Sequence, residues 1–367
     1  METGEKMPST PDEGAIQATL SAHFRMPVRI TEVAALAGDA STRSYHRVRL
    51  GPDAPLRSLV MMRYPDETPP GEELPFVNVH RVLRKAGVPV PEIYLAVPEA
   101  KLLFLEDAGD TTLETAVGKA KSKEEILPLY ERCVETLVRI QSEGTLELDR
   151  DDIPARLAFD VDKFAWEIAF FFEHAVRGYG GIDLPESWER AILDRIIPFL
   201  EELAALPRVL VHRDYHSRNV MVLPGAPGKR CELRILDFQD ARMGNVFYDL
   251  CSLFRDSYVT LDEKTVDHLS YVYRHAAPAE LKRMGGDRAA FAWRLDMAAL
   301  QRNIKAIGTF GNQAHARGKT FYLRFIPPTV AHLKGNFERN PGLRRLAGKL
   351  LPILDALSAK AAAESTQ

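Results

Sequence analysis

The stretch VLVHRDYHSRNVMVLPGAPGKRCELRILDFQDARMG, residues 209–244, decides how the rest of the chain is interpreted. Its apolar start leads into the polar loop HRDYHSRN, which contains Asp214 and, five positions later, Asn219. Two apolar runs, VMVL at 220–223 and ELRILDF at 232–238, flank the turn-rich PGAPGKR and predict a β-hairpin. The second run contains Asp237. The sequence therefore predicts three side-chain oxygen donors in a fixed order along a loop and a hairpin.

The order of these three side chains is typical of phosphoryl transfer. That reaction needs a carboxylate near the acceptor hydroxyl and oxygen ligands for Mg²⁺, because positioning and charge neutralisation supply most of the catalysis. HRD, four intervening residues, Asn, a hairpin and then Asp is the spacing of a kinase catalytic loop and its metal-binding Asp. A lone HRD occurs by chance in many proteins, whereas the ordered set is far more specific.

Upstream, short β-like segments separated by turn residues run from about residue 30 to 105: ITEVAALAG, SYHRVRL, SLVMMRYP, PEIYLAV and KLLFLED. One helix, at about 74–85, lies between the third and fourth segments. Long amphipathic helices follow at 123–141, 160–176, 185–203, 262–275 and 288–310. We predict an α+β fold with two domains. Residues 1–105 form a small, mostly antiparallel sheet with one helix, residues 106–367 form a helical domain, and residues 1–12 are disordered.

The composition excludes a disordered or fibrous protein, since 46% of the 367 residues are hydrophobic and 27% are charged. The net charge of −3 gives no global attraction for nucleic acid or anionic lipid. The three cysteines form no CxxC pair, the polar start lacks the apolar region of a signal peptide, and no apolar run is long enough to cross a membrane. We expect a cytoplasmic monomer whose partner is a small molecule, without binding to nucleic acid or to a membrane.

In the order of its elements, from about residue 30 to 325, the chain resembles the aminoglycoside phosphotransferase family of kinase-like small-molecule kinases. Four segments, HRDYHSRN, ILDFQDARMG, YDLCSLFRDSY and QRNIKAIG, resemble the bacterial members that phosphorylate the anomeric hydroxyl of N-acetylmuramate or N-acetylglucosamine during peptidoglycan recycling. The resemblance implies a bilobal protein-kinase-like fold, ATP and Mg²⁺ as cofactors and an amino sugar as substrate. It also implies that Asp214 orients or deprotonates the acceptor hydroxyl and that Asn219 and Asp237 bind Mg²⁺.

The expected phosphate-binding loop departs from the kinase pattern. GDASTRSYHRV, between the first two strands, contains one glycine, Gly38, where a kinase carries GxGxxG. Backbone N–H groups can still hold phosphate oxygens, and the candidates are Ser41, Thr42 and Arg43. An ordinary polar hairpin turn is the alternative.

The rest of the nucleotide site is equally atypical. The third strand has no lysine, so Arg63 is the candidate cation for the α and β phosphates, with a solvated strand end as the alternative. Its helical glutamate partner stays unassigned, because Glu72 and Glu73 lie at the helix start, where acidic residues are common for other reasons. The hinge is expected near Phe104 and Glu106, where backbone groups would contact the adenine edge.

The candidates for binding the acceptor lie close to the catalytic loop or on the last predicted helix. His216 stands two positions after Asp214, where protein kinases often carry a lysine, and Asp240 and Arg242 closely follow the metal-binding Asp237. Arg302 belongs to a set of polar residues on an otherwise apolar helix, and a solvated helix face is the alternative for this set: Gln301, Arg302, Asn303 and Lys305. The positive charges of Arg242, Arg302 and Lys305 indicate a neutral or anionic acceptor.

Two further features are interpreted as structural. Asp249, in YDL, is predicted to brace the catalytic loop, and an aromatic stripe is predicted to be core: Phe164, Trp166, Phe170, Phe171 and Phe172. Two other functions compete with an amino-sugar kinase. One is a kinase of another hydroxylated small molecule, such as an aminoglycoside, choline or a homoserine-like metabolite. The other is a non-catalytic binding or regulatory protein on the same fold.

Overall fold

The computed structural model describes residues 12–36, 43–65, 73–225 and 231–365, which divide into two units. The first unit takes its described residues from Met1–Glu72 and Pro91–Gly109, and the second from Glu73–Val90 and Asp110–Gln367. The helix predicted at 74–85 therefore groups with the helical unit, while the domain boundary at residue 105 stays a prediction. Among the helices of the described residues, none is long and apolar enough to span a membrane.

The first unit is an antiparallel sheet covered on one face by a helix. Its strands lie in the spatial order β1-β2-β3-β5-β4. Helix α1 buries Ile16 and Leu20 against Leu59 and Met61 of the third strand. All five predicted strands are confirmed, and the elements are α1 (Glu13–Phe24), β1 (Ile30–Leu36), β2 (Ser44–Leu50), β3 (Ser58–Arg63), β4 (Ile93–Val97), a 3-10 turn (Pro98–Ala100) and β5 (Leu102–Glu106).

Helix α1 is absent from the sequence-based prediction, which placed disorder up to residue 12. Asp12 is the N-cap of this helix, and its carboxylate accepts a hydrogen bond of 3.1 Å from the backbone N–H of Gly14. Asp12 is therefore described as the cap of this helix, and the disorder of residues 1–12 stays a prediction. The remaining residues of 1–12 lie outside the described ranges.

The second unit is mostly helical. Four of the five predicted long helices correspond to α4, α8, α10 and α12, and two helices after residue 325 were not predicted. The helices are α2 (Pro75–Lys85), α3 (Leu113–Lys119), α4 (Lys123–Gln141), α5 (Glu143–Leu146), α6 (Ile153–Arg156), α7 (Val161–Phe170), a π-helix (Phe171–Tyr179), α8 (Glu186–Ala205), α9 (Phe247–Phe254), α10 (Glu263–Ala276), α11 (Ala279–Gly285), α12 (Arg288–His315), 3-10 turns (Thr320–Phe325 and Pro341–Leu343), α13 (Ile326–Arg339) and α14 (Arg344–Ser365).

Two short antiparallel pairs of strands frame the catalytic loop. Strand β6 (Val209–Val211) pairs with β9 (Arg242–Gly244), so both ends of the stretch 209–244 lie side by side. Strands β7 (Val220–Leu223) and β8 (Glu232–Ile235) form the predicted hairpin, which is confirmed. The pairing returns the chain to the loop, so that residues after β8 lie near residues before β7.

The predicted helix at 160–176 changes from α to π geometry after Phe170. The π-helix packs closely on α12, where a Cβ at Gly311 would lie 2.6 Å from the Cα of Ala175, so that no larger residue fits there without a shift. Phe164, Phe171 and Phe172 are fully buried, as predicted. The prediction is wrong for Trp166, which is 53% exposed, because the buried face of α7 is formed by Phe164, Glu167 and Ile168 and Trp166 lies off that face.

Candidate active site

The catalytic loop is anchored by a buried carboxylate from α9. Asp249 accepts hydrogen bonds from the backbone N–H groups of His212, at 2.6 Å, and Arg213, at 2.9 Å. Arg213 has a φ of 84°, an uncommon left-handed conformation for a residue other than glycine. Burial raises the pKa of Asp249 to about 7, and the two N–H donors offset only part of that rise. The predicted brace is confirmed, and it holds the residue before Asp214 in a strained conformation.

Asp214 lies between two cations. Its Oδ1 accepts a 2.9 Å hydrogen bond from Nζ of Lys305 on α12, and its Oδ2 lies 3.9 Å from Nε of Arg213. Burial alone would raise the pKa of Asp214, but the charges of Lys305 and Arg213 outweigh it and hold the pKa well below its usual range. The carboxylate is therefore ionised at neutral pH and is a weak base.

The three oxygen donors predicted from sequence lie together. Nδ2 of Asn219 donates to the backbone O of Asp214 at 2.9 Å and contacts Oδ2 of Asp237 at 3.4 Å. The backbone N–H of Leu236 donates to the O of Asn219 at 2.8 Å, which ties the hairpin to the loop. Asp237 has a φ of 61°, and its Oδ1 accepts a 2.7 Å hydrogen bond from Gln239. Strand pairing has thus brought Asp237 back to Asn219.

The chemistry of this donor set fits Mg²⁺. Asp237 and Asn219 provide a carboxylate and an amide, and Mg²⁺ prefers oxygen ligands and commonly uses one or two carboxylates together with substrate phosphates. Within the described ranges, no group of three or more His, Cys, Asp or Glu residues is placed to hold a metal. A site that completes its coordination with phosphate oxygens and water is therefore the arrangement that these two residues suit.

The two histidines of the loop are both neutral. Burial lowers the pKa of His212 to about 4, and its Nε2 lies 2.9 Å from the backbone O of Leu236, as expected for a structural hydrogen-bond donor. Burial, followed by the charge of Arg302, lowers the pKa of His216 to about 3. His216 packs edge-on against Tyr258 at 4.9 Å. A substrate role for His216 stays a prediction, and at neutral pH such a role would be that of an uncharged ring.

Charged residues extend from the loop towards β9 and α7. Arg213 forms an ion pair of 3.2 Å with Asp240, whose backbone O accepts a 3.2 Å hydrogen bond from Arg242. Burial lowers the pKa of Lys163 on α7, and the charges of Arg213, Arg242 and Lys305 lower it further against the attraction of Glu167. Lys163, Arg213, Arg242 and Lys305 therefore form a group of four electrostatically coupled cations, two of which flank Asp214. The acceptor-binding roles of Asp240 and Arg242 stay predictions, while Lys163 was not predicted from sequence.

The polar residues of α12 are not a solvated face. Gln301, Arg302 and Asn303 are at most 3% exposed. Nε of Arg302 donates to Oγ of Ser252 at 2.7 Å, and Nε2 of Gln301 donates to Glu167 at 2.7 Å, so both side chains have partners inside the protein. The acceptor-binding role of Arg302 stays a prediction. Sequence reasoning missed the contact between Lys305 and Asp214, and its only signal was a lysine on an otherwise apolar helix.

In the first unit, Arg63 lies on the face of the sheet that α1 covers. Side chains alternate along β3, so Arg63 shares the face of Leu59 and Met61. It lines a cavity of about 390 Å³ together with Asp12 and Glu99, among others. Lys101 also lines this cavity, so two acidic and two basic side chains border it. The phosphate-binding role of Arg63 stays a prediction.

The opposite face of the sheet holds a different cation. Arg47 pairs with Val60 across β2 and β3, and it forms an ion pair of 2.8 Å with Asp107. The Asp107 carboxylate also accepts a 2.6 Å hydrogen bond from Ser58. Arg47 is only 8% exposed, so its charge is neutralised by Asp107 inside this unit.

The remaining nucleotide candidates are only partly described. Ser41 and Thr42 lie outside the described residues, and Arg43 directly precedes β2. Phe104 is fully buried in the middle of the sheet, paired with both β3 and β4. The backbone N–H of Glu106 donates to the O of Glu92 at 2.8 Å, so it is already used within the unit. Nucleotide contacts by these residues stay predictions.

Comparison with known proteins places these features in context. Residues 32–284 match the model of the phosphotransferase enzyme family. The chain is 33% identical over 327 residues to the N-acetylmuramate/N-acetylglucosamine kinase of Pseudomonas aeruginosa, covering 88% of each protein. It is 28% identical to the protein of that name from Caulobacter vibrioides, covering 90% of this chain and 97% of the relative.

Solved structures show the fold. The microcompartment-associated aminopropanol kinase has a TM-score of 0.57 at 16% identity, with 91% of this chain and 100% of that one covered. The ADP-bound aminoglycoside phosphotransferase APH(2″)-Ib has a TM-score of 0.55 at 14% identity, with 88% and 97% covered. The predicted kinase-like fold class, with an antiparallel sheet and a helical part, is confirmed.

Proposed function

The chain belongs to the phosphotransferase enzyme family, and from this premise we propose that it is a kinase that transfers the γ-phosphoryl group of ATP to the anomeric hydroxyl of N-acetylmuramate or N-acetylglucosamine. One observation carries the proposal: an ionised Asp214 lies on the same loop as Asn219 and is joined through it to Asp237. The names of the curated relatives support these two amino sugars as acceptors. The product would be the sugar 1-phosphate, formed in the cytoplasm.

Asp214 orients the acceptor hydroxyl and takes its proton as the new O–P bond forms and the bond from the γ-phosphorus to the bridging oxygen breaks, which releases ADP. Because its pKa is held low, Asp214 is a poor base for an ordinary alcohol. An anomeric hydroxyl is more acidic than other sugar hydroxyls, so it needs less help from the carboxylate. Asn219 and Asp237 would hold Mg²⁺, which neutralises charge on the phosphates when bound.

The charges around Asp214 favour a neutral or anionic acceptor. Besides burial, the groups that act on Lys163 are three cations, Arg213, Arg242 and Lys305, and one carboxylate, Glu167. A polycationic aminoglycoside or a choline would be repelled by such a group, whereas the lactyl carboxylate of N-acetylmuramate would be attracted. The charge balance therefore supports an amino sugar over the other small hydroxylated acceptors.

An acceptor panel tests the proposal. With ATP and Mg²⁺, we expect both amino sugars to stimulate ATP consumption, and kanamycin and choline not to. A methyl glycoside of N-acetylglucosamine, which keeps its 6-hydroxyl but lacks a free anomeric one, should be inactive. Phosphorylation of that glycoside at a rate close to that of the free sugar would contradict the anomeric assignment. Inactivity on both amino sugars with activity on kanamycin would assign the chain to antibiotic modification.

A further inference from the structure

The catalytic loop contains no lysine of its own. The residue two positions after Asp214 is His216, which is neutral in its buried environment. Arg213, the neighbouring loop cation, approaches Oδ2 of Asp214 only to 3.9 Å, beyond hydrogen-bond distance. The loop by itself therefore supplies no direct cationic contact to its carboxylate.

Lys305 supplies that contact from a different element. Its Nζ lies 2.9 Å from Oδ1 of Asp214, and its side chain is only 15% exposed. Two neighbours on α12 hold the helix in place, since Arg302 bonds to Ser252 and Gly308 permits close packing on the π-helix. Because the helix is held on both sides, the ammonium group is positioned before any substrate binds.

The two carboxylate oxygens of Asp214 have different surroundings and can therefore have different roles. Lys305 occupies Oδ1, so Oδ2 is the oxygen left to accept a hydrogen bond from an acceptor hydroxyl. An ammonium group has three N–H donors, and within the described part of the chain one of them is used, by Asp214. The other two N–H groups can meet oxygen atoms of the phosphoryl group as it moves towards the acceptor.

We propose that Lys305 is the positioning cation of the phosphoryl-transfer site, contributed by α12 in place of a lysine on the catalytic loop. The inference rests on the proposed kinase function. It assigns Lys305 two tasks: to hold Asp214 with Oδ2 towards the acceptor, and to offset negative charge where the phosphoryl group is transferred. Both tasks act mainly in the transition state, so the loss of Lys305 should lower kcat more than it raises KM.

Three variants and a chemical rescue test this assignment. We expect Lys305→Ala to lower kcat by about 10²-fold, as for removal of one preorganised charge, while KM for ATP changes by less than about threefold. Lys305→Arg should keep part of the activity because it keeps the charge. Lys334→Ala is the matched control, since Lys334 is a half-exposed lysine paired with Asp355 on the neighbouring helices α13 and α14, and it should behave as wild type.

The rescue separates a charge effect from a structural one. Ethylammonium chloride should restore part of the kcat of Lys305→Ala, because the shortened side chain leaves room for a small amine beside Asp214. Tetramethylammonium chloride at the same ionic strength should not, since it has no N–H donor. A kcat for Lys305→Ala above about a third of the wild-type value, or equal effects of the two salts, would overturn the proposal. A wild-type enzyme inactive on both amino sugars would instead overturn the proposed function.

Discussion

The catalytic loop at 212–219 and the third strand at 58–63 hold their charged side chains in different ways. In the loop, Asp249 and Asp256 bind backbone N–H groups, and cations approach Asp214 from the loop and from α12. In the sheet, alternation puts Arg63 on the face of α1 and Arg47 on the opposite face. A braced loop can concentrate charge at one point, whereas a strand distributes it over two surfaces.

This difference explains why the two regions are unequally predictable. The loop is short, and its polar residues bond to its own backbone, as Asn219 does to Asp214. Spacing along the chain is therefore enough to place them together. On a strand, a shift of one residue moves a side chain to the other face, so the role of Arg63 depends on the strand pairing.

The largest loss of activity should follow substitution of Asp214 in the catalytic loop. Asp214→Asn should lower kcat by about 10²-fold or more, because the carboxylate acts on the acceptor hydroxyl, while KM for ATP stays within about threefold. Asp237→Asn is the comparison, and it should weaken nucleotide binding as well, because it removes a proposed Mg²⁺ ligand. Steady-state kinetics at varied ATP and Mg²⁺ measure both. Retention by Asp214→Asn of more than about a tenth of the wild-type rate would show that its assigned role is wrong.

A smaller and selective effect is expected at Arg242. Arg242→Met should lower kcat/KM for N-acetylmuramate about tenfold more than for N-acetylglucosamine, because only the former carries a carboxylate. The substitution keeps the length of the side chain and removes its charge. Arg150→Met, at an exposed position, serves as the control and should leave the ratio unchanged. Equal losses on both sugars would assign Arg242 a role that does not depend on the acceptor's charge.

Substitution of Arg63 on the third strand should have only a weak effect on ATP kinetics. We expect Arg63→Ala to change KM for ATP by less than about threefold, because Arg63 lies on the face of the sheet that packs against α1 and lines the cavity there. Steady-state kinetics at varied ATP measure the effect, and thermal unfolding reports any loss of packing against α1. A rise of about tenfold or more in KM for ATP would instead uphold the phosphate-binding role predicted from sequence.

The smallest effect concerns the pH dependence of folding stability, through the buried His332, which contacts the backbone of Asp256. Burial lowers the pKa of His332 to about 4, and its Nε2 lies 3.0 Å from the backbone O of Asp256. Between pH 6.5 and about 4 the unfolded chain binds a proton that the folded chain does not, so this histidine lowers stability as pH falls through that range. His332→Gln cannot take up that proton. Between pH 7 and 5 the variant should therefore lose about 1–2 kcal/mol less unfolding free energy than wild type in urea titrations. Equal losses would show that His332 ionises normally.

The sequence by itself determined the order of the elements and the core of the candidate site. Five strands, the helix at 74–85 and most of the long helices follow from periodicity and turn residues, and the structure contains them. Asp214, Asn219 and Asp237 lie together because a loop and a hairpin bring nearby residues into contact. Such features depend on local geometry, which a short stretch of chain specifies without the rest of the protein.

Only the tertiary structure decided which distant side chains meet. Lys305 is 91 residues from Asp214, and nothing in its own helix indicates which face of α12 the loop will touch. The π-helix packs its backbone closely against α12 because Gly308 and Gly311 carry no side chain at the contact. Arg63 shares a face with α1 because strand register, set by pairing with β2 and β5, fixes its direction. Contacts of this kind depend on packing between whole elements, and many different packings satisfy the same local pattern.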